Sequence, residues 1–209
     1  MVLFNRAPAC RRNRIPGPIG RIPVDWALIT VGKLQPEGRS SVITSASARA
    51  VWEIITDPKR IGEWSHETHD GDWIGRSNTA VPGARFSGSN RLGRLKWTRV
   101  NQVVEVHPAH HYSWRTVPSA LYPDSTLWTI TLEPHAEGTE IVQTFEVLRI
   151  NPIINRLYYL VAPAHRQRQA ALTADLRRLA DVAELLTSSR GSDPRQPGGP
   201  ANRDPRAQP

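Results

Sequence analysis

Residues 138–150 read GTEIVQTFEVLRI, and residues 171–186 read ALTADLRRLADVAELL. In the first run Ile141, Gln143, Phe145 and Val147 fall on one side of an extended chain, and Val142, Thr144, Glu146 and Leu148 on the other, which is the period of two of a strand. In the second run Leu172, Leu176, Leu179, Val182 or Ala183, and Leu186 recur at spacings of three and four, with Arg177, Arg178, Asp181 and Glu184 off that line. Asn151-Pro152 marks the change of period. The pattern predicts a strand over 139–148 and a long amphipathic helix over 164–186.

Upstream, the breaks at Val81-Pro82-Gly83, 91–94, 107–109, 118–124 and 133–138 separate further strands over 69–74, 84–90, 95–106, 111–117 and 126–132. A first strand over 39–45 leads to Ser45 or Ser47 as N-cap of a helix over 48–56, stopped by Asp57-Pro58. A second helical turn follows over 59–64. One strand, two short helices, six strands and a closing helix make an α+β chain: a curved antiparallel sheet of about seven strands wrapped around its C-terminal helix.

The sequence has 209 residues, of which 39% are hydrophobic and 22% charged. Five of its 18 prolines lie in residues 1–39 and five more from Pro194 to Pro209. The expected organisation is a basic N-terminal extension over 1–38, one domain over 39–187 and a Pro-, Gly- and Arg-rich disordered tail over 188–209. The formal net charge of +8 divides unevenly: seven Lys or Arg against two acids in 1–39, four against two in 187–209, hence 16 against 15 between them. Basic flanks on a neutral middle argue against nucleic acid as a partner. The apolar patch at 24–31 is far short of the ~20 residues of a membrane-spanning helix, so no integral membrane segment is expected. Cys10 is the single cysteine, which excludes an intrachain disulfide or a thiolate metal site and suggests a cytoplasmic setting.

Alternation also nominates a lining. Phe86, Gly88 and Asn90 share a face, as do Trp97, Arg99 and Asn101, then Tyr112 and Trp114, then Trp128, Ile130 and Leu132. Each ring alone reads as core. Together, four aromatic-bearing strands under one Ala- and Leu-rich helix predict an apolar cavity, with Asn90, Gln143 and Arg99 as its few polar groups.

Three strings carry a family likeness: DPKRIGEWSHE at 57–67, GARFSGSNR at 83–91 and GTEIVQTFEV at 138–147. They resemble the polyketide cyclase/dehydrase and lipid-transport superfamily, the START-like, helix-grip (SRPBCC) proteins. The resemblance spans about residues 40–186 and implies a deep hydrophobic cavity between sheet and closing helix. Where such sequences often carry an acidic residue before the last strand's (S/T)-F-E, this chain has Gln143, so an inward base at that place is lacking.

His66-Glu67-Thr68-His69 is one residue short of the zinc motif H-E-x-x-H, and GRSNTAVPG at 75–83 lacks the Lys-Ser/Thr of a phosphate loop. No metal and no cofactor are expected. Ser87, Ser89 and Ser113 have no His and acid at a recognisable spacing, so covalent catalysis is unsupported. The expected function is binding of a hydrophobic or aromatic small molecule, lipid- or polyketide-like, by Trp64, Phe86, Asn90, Trp97, Arg99, Tyr112, Trp114, Trp128, Gln143, Phe145 and Tyr158. The alternative is a polyketide cyclase, aromatase or dehydratase in the same cavity, with Glu67, Asn90 and Arg91 as catalytic candidates. A Glu67–Arg91 salt bridge is the structural reading of that pair.

Overall fold

The computed structural model describes residues 36–151 and 168–191. Strand β1 (Glu37–Thr44) leads to helix α1 (Ala48–Ile55) and a 3₁₀ helix (Pro58–Glu63). Then come β2 (Thr68–Ile74), β3 (Arg85–Leu92), β4 (Leu95–His107), β5 (His111–Thr116), β6 (Ser125–His135), β7 (Gly138–Arg149) and helix α2 (Arg168–Gly191). The seven strands form one antiparallel sheet in the order β1-β7-β6-β5-β4-β3-β2, so consecutive hairpins run from β2 to β7 and only β1 crosses over. This is the α+β arrangement expected from the change of period, and it agrees with the helix-grip fold that the resemblance implies.

Local chemistry explains the short elements. Ser47 caps α1, its Oγ accepting from Ala50 N at 3.3 Å. Asp57 accepts from Lys59 N at 3.0 Å, and Pro58 occupies the first position, where its missing N–H costs nothing. The turn expected over 59–64 winds as a 3₁₀ helix over Pro58–Glu63. It lies against β2 with little clearance. A Cβ at Gly62 would collide with His69 O, and one at Gly71 would come within 2.6 Å of Pro58 O. That close approach fixes where the segment 64–68 enters the sheet.

Most strands run further than their punctuation suggests, whereas β5 stops one residue short of the expected 117. In the β6–β7 hairpin His135 pairs with Gly138, and in the β3–β4 hairpin Leu92 pairs with Leu95, each leaving two residues for the turn. β1 begins at Glu37, and α2 continues past Leu186 to Gly191. The expected helix start at 164–167, Tyr158 and Tyr159, the patch at 24–31 and most of both flanks lie outside the described residues.

The core joins Val51 and Ile54 of α1, Leu176, Leu179 and Ala183 of α2, and Ile130, Leu132 and Ile141 of the sheet. Burying one such aliphatic side chain contributes about 1.5–3 kcal/mol. Polar ties set the helix along β1: Glu184 Oε1 accepts from Thr44 Oγ1 at 2.8 Å and Ser45 N at 2.9 Å, and the Ser40 and Thr173 hydroxyls meet at 3.2 Å. These bonds hold the Glu184 carboxyl below its ordinary range, that from Ser45 N contributing most. No helix among the described residues is long and apolar enough to cross a membrane.

Candidate functional site

Between the N-terminal half of α2 and the concave face of the sheet lies a cavity of about 190 Å³. Alternation explains its wall. Trp97, Arg99 and Asn101 come from β4, Trp114 and Thr116 from β5, Trp128 from β6, and Gln143 and Val147 from β7. The segment 64–68 and Asn90 close one side; Arg168, Leu172 and Asp175 of α2 form the roof. Strand register sets Trp114 opposite Trp128, and Trp128 opposite Phe145. Their rings make a continuous row: Trp114 and Trp128 stack with centroids 6.5 Å apart and 15° between planes, and Phe145 follows 5.5 Å beyond Trp128. The Arg168 guanidinium lies over this row, 4.7 Å from the Phe145 centroid and 5.4 Å from that of Trp128. Burial pushes the Arg168 pKa down, opposed by the charges of Glu67 and Asp124.

Two charge clusters face this apolar row. Arg99 donates to both Asp124 carboxylate oxygens, at 2.9 and 3.2 Å, and to Asp124 O at 3.0 Å, with Tyr122 beneath its guanidinium. On the other side His66 Nδ1 donates to Asp175 Oδ2 at 2.7 Å, and His66 N donates to Asp175 Oδ1 at 3.1 Å. Asp175 is only 3% exposed and also accepts from Arg178, whose Nε donates to Trp64 O at 2.9 Å. A buried carboxylate needs such partners. Its hydrogen bond raises the His66 pKa, against the opposing effect of burial. Beside this cluster Thr68 Oγ1 donates to Asn90 Oδ1 at 2.7 Å.

Of the residues the sequence nominates, Trp64, Glu67, Asn90, Trp97, Arg99, Trp114, Trp128 and Gln143 border the cavity. Phe86 and Tyr112 do not. They border a separate small void under α1 and the 3₁₀ helix, where Tyr112 meets Trp52 edge-on at 6.1 Å and Phe86 meets Trp73 at 5.9 Å. Alternation gives a side chain's face but not its position along the groove, and the short helices fill that end. Phe145 is buried beneath Arg168, beside Gly38, where a Cβ would come within 2.5 Å of its ring.

Arg91 is exposed and bonds Gly93 O through Nε, while its backbone N donates to Glu67 O at 2.8 Å. The link between residues 67 and 91 is therefore a main-chain bond. Tyr158 lies outside the described residues. Sequence reasoning missed His66, Asp124, Arg168 and Asp175 as wall residues. Among the described residues no three His, Cys, Asp or Glu side chains converge as metal ligands.

A family model described as polyketide cyclase / dehydrase and lipid transport matches residues 35–184. Solved structures share the fold. Protein TTHA0849 from Thermus thermophilus is 15% identical, with a TM-score of 0.56 over 73% of this chain and 99% of that one. Protein CV1439 from Chromobacterium violaceum is 18% identical, with a TM-score of 0.52 over 71% and 97%. Protein Ms6760 from Mycobacterium smegmatis is 12% identical, with a TM-score of 0.51 over 74% and 92%. At these identities the likeness concerns the fold alone. No curated protein matches the chain.

Proposed function

The chain belongs to the polyketide cyclase/dehydrase and lipid transport family, and from that premise we propose that its cavity binds a hydrophobic or aromatic small molecule, lipid- or polyketide-like. The observation that carries this reading is the convergence of Trp97, Trp114 and Trp128 on one cavity whose charged groups are largely engaged with one another. Aromatic walls with few oriented polar groups are the usual means of holding an apolar ligand. A cytoplasmic setting goes with this reading, supported by the single cysteine. The test is titration of the folded protein with fatty acids, flavonoids and polyketide-like compounds, read by tryptophan fluorescence. Saturable binding of at least one class is expected, and its absence from all three contradicts the proposal.

A second reading, chemistry on the bound molecule, draws support from His66. An imidazole whose Nδ1–H is held by a buried carboxylate presents Nε2 as a proton acceptor, the arrangement a general base requires. In this reading His66 joins Glu67 and Asn90 as candidates, and Arg91, exposed and bonded to Gly93 O, drops behind them. Turnover of a β-hydroxy or poly-β-carbonyl compound by the wild type, lost in both His66→Asn and Asp175→Asn while ligand binding persists, is the expected result. Equal turnover in the variants rules this reading out.

A further inference from the structure

Among the described residues, two buried side-chain polar atoms have no hydrogen-bond partner: the Oε1 carbonyl of Gln143 and the indole Nε1 of Trp64. Both residues border the cavity, and they are 2% and 4% exposed. An acceptor taken out of water and left unpaired costs more than a satisfied one gains, so nearly all buried polar atoms in proteins have partners. The neighbours of Gln143 do not supply one. Across the ladder it faces Ile130, which has no polar side-chain atom, and Ser40, whose hydroxyl is engaged with Thr173 and Gln169.

The surroundings of this carbonyl define what could reach it. Two residues along the same face, Phe145 sits opposite Trp128, whose ring stacks on Trp114. That spacing is about 7 Å along a strand, roughly the length of a two-ring aromatic. An apolar void of about 150 Å³ takes up benzene, so the cavity's 190 Å³ suits a flat molecule of one or two rings. Arg99 is held by Asp124 and His66 by Asp175, which leaves the Gln143 carbonyl as an uncommitted neutral acceptor beside the aromatic row.

We propose that the cavity is selective for a small hydroxylated aromatic, a phenol or naphthol, whose O–H donates to Gln143 Oε1 while its ring lies against Trp114 and Trp128. The proposal rests on the reading of this cavity as a ligand site and adds the class of ligand and the residue that selects it. The Trp64 indole offers a donor, the opposite sense, to a second oxygen on the same molecule. A site built to hydrogen-bond a hydroxyl discriminates against an analogue that lacks it, because the site's own polar group is then left unpaired.

The test uses the full chain and three probes of similar shape: 2-naphthol, 2-methoxynaphthalene and naphthalene. Binding is measured by calorimetry. The hydroxyl is the costliest group to strip of water, yet 2-naphthol is expected to bind about tenfold more tightly than the ether or the hydrocarbon, the ratio that one satisfied hydrogen bond gives. Gln143→Leu should abolish that preference and leave naphthalene bound at least as well as before. Gln143→Met, an unbranched side chain of similar length, should do the same where Leu disturbs folding. Equal binding of all three probes by the wild type overturns the hydroxyl assignment and leaves the cavity reading intact. A preference that survives in both variants also overturns it, placing the hydroxyl on another group such as Glu67. Binding of none of the three contradicts both this inference and the reading beneath it.

Discussion

Asp175 shows how one residue couples the closing helix to the cavity wall. It lies on the same helical line as Leu172 and Leu179, three residues after one and four before the other, so the amphipathic pattern carries it inward with the leucines. A carboxylate on an apolar stripe is itself a signal, since it requires buried partners. The partner, His66, is 109 residues away in sequence, and no local pattern connects the two. The pair predicts a pH dependence whose sign follows from its geometry. The Asp175 hydrogen bond raises the His66 pKa above 6.5, with Glu67 reinforcing and Arg178 opposing. The stabilisation is therefore complete below about pH 6.5 and disappears as pH rises through the folded-state value. His66→Asn should cost about 1 kcal/mol at pH 5.5, less than the roughly 1.5–3 kcal/mol of a charged hydrogen bond because the ring is partly exposed, and progressively less in alkaline solution. Urea unfolding of both proteins across pH checks this; a difference that grows with pH contradicts it. At Trp128 the expected effect is on the ligand. Trp128→Ala removes the middle ring of the row and should shift preference toward bulkier molecules, measured as affinity ratios across a ligand series.

At the scale of elements, α2 has two parts with different tasks. Leu176 and Leu179 are fully buried in the core, whereas Leu172 borders the cavity. Truncating a leucine costs most where the surroundings close tightly around it. Leu176→Ala should cost about 3–5 kcal/mol, and Leu172→Ala, which enlarges an existing void, about 2 kcal/mol with a change in ligand affinity. Paired denaturation and binding measurements on the two variants check the division; equal costs without any effect on binding contradict it. The helix and the strands were legible because periods of 3.6 and 2 survive in sequence wherever one face is buried. The mixture of cavity and core residues was not. Phe86 and Tyr112 alternate in step with the lining yet pack under α1 and the 3₁₀ helix. Their place depends on how far those helices reach along the groove, which closeness at Gly62 and Gly71 sets and hydrophobic pattern does not record.

Over the whole molecule, the crossing of β1 to pair with β7 joins the beginning of the described chain to its last strand, and α2 packs along that seam. The main-chain bond from Val147 N to Pro36 O extends the seam by one residue. A chain trimmed to residues 36–191 should therefore melt within a few degrees of the full chain, while one beginning at Ser45 loses an edge strand and the Thr44–Glu184 tie and should not fold cooperatively. Thermal denaturation of the two shortened chains checks both halves; a large loss in the 36–191 chain would show that the flanks contribute to the core. Uptake of an apolar aromatic molecule into the space between α2 and the sheet is the central claim, and a nuclear magnetic resonance titration that follows the tryptophan indole N–H signals tests it most directly. On adding a two-ring aromatic ligand, Trp64, Trp97, Trp114 and Trp128, which border the cavity, should shift to saturation, while Trp52 and Trp73, which do not, should stay in place. Saturation that moves Trp52 and Trp73 and leaves the four cavity tryptophans unshifted, or no shift in any of them, would contradict that claim.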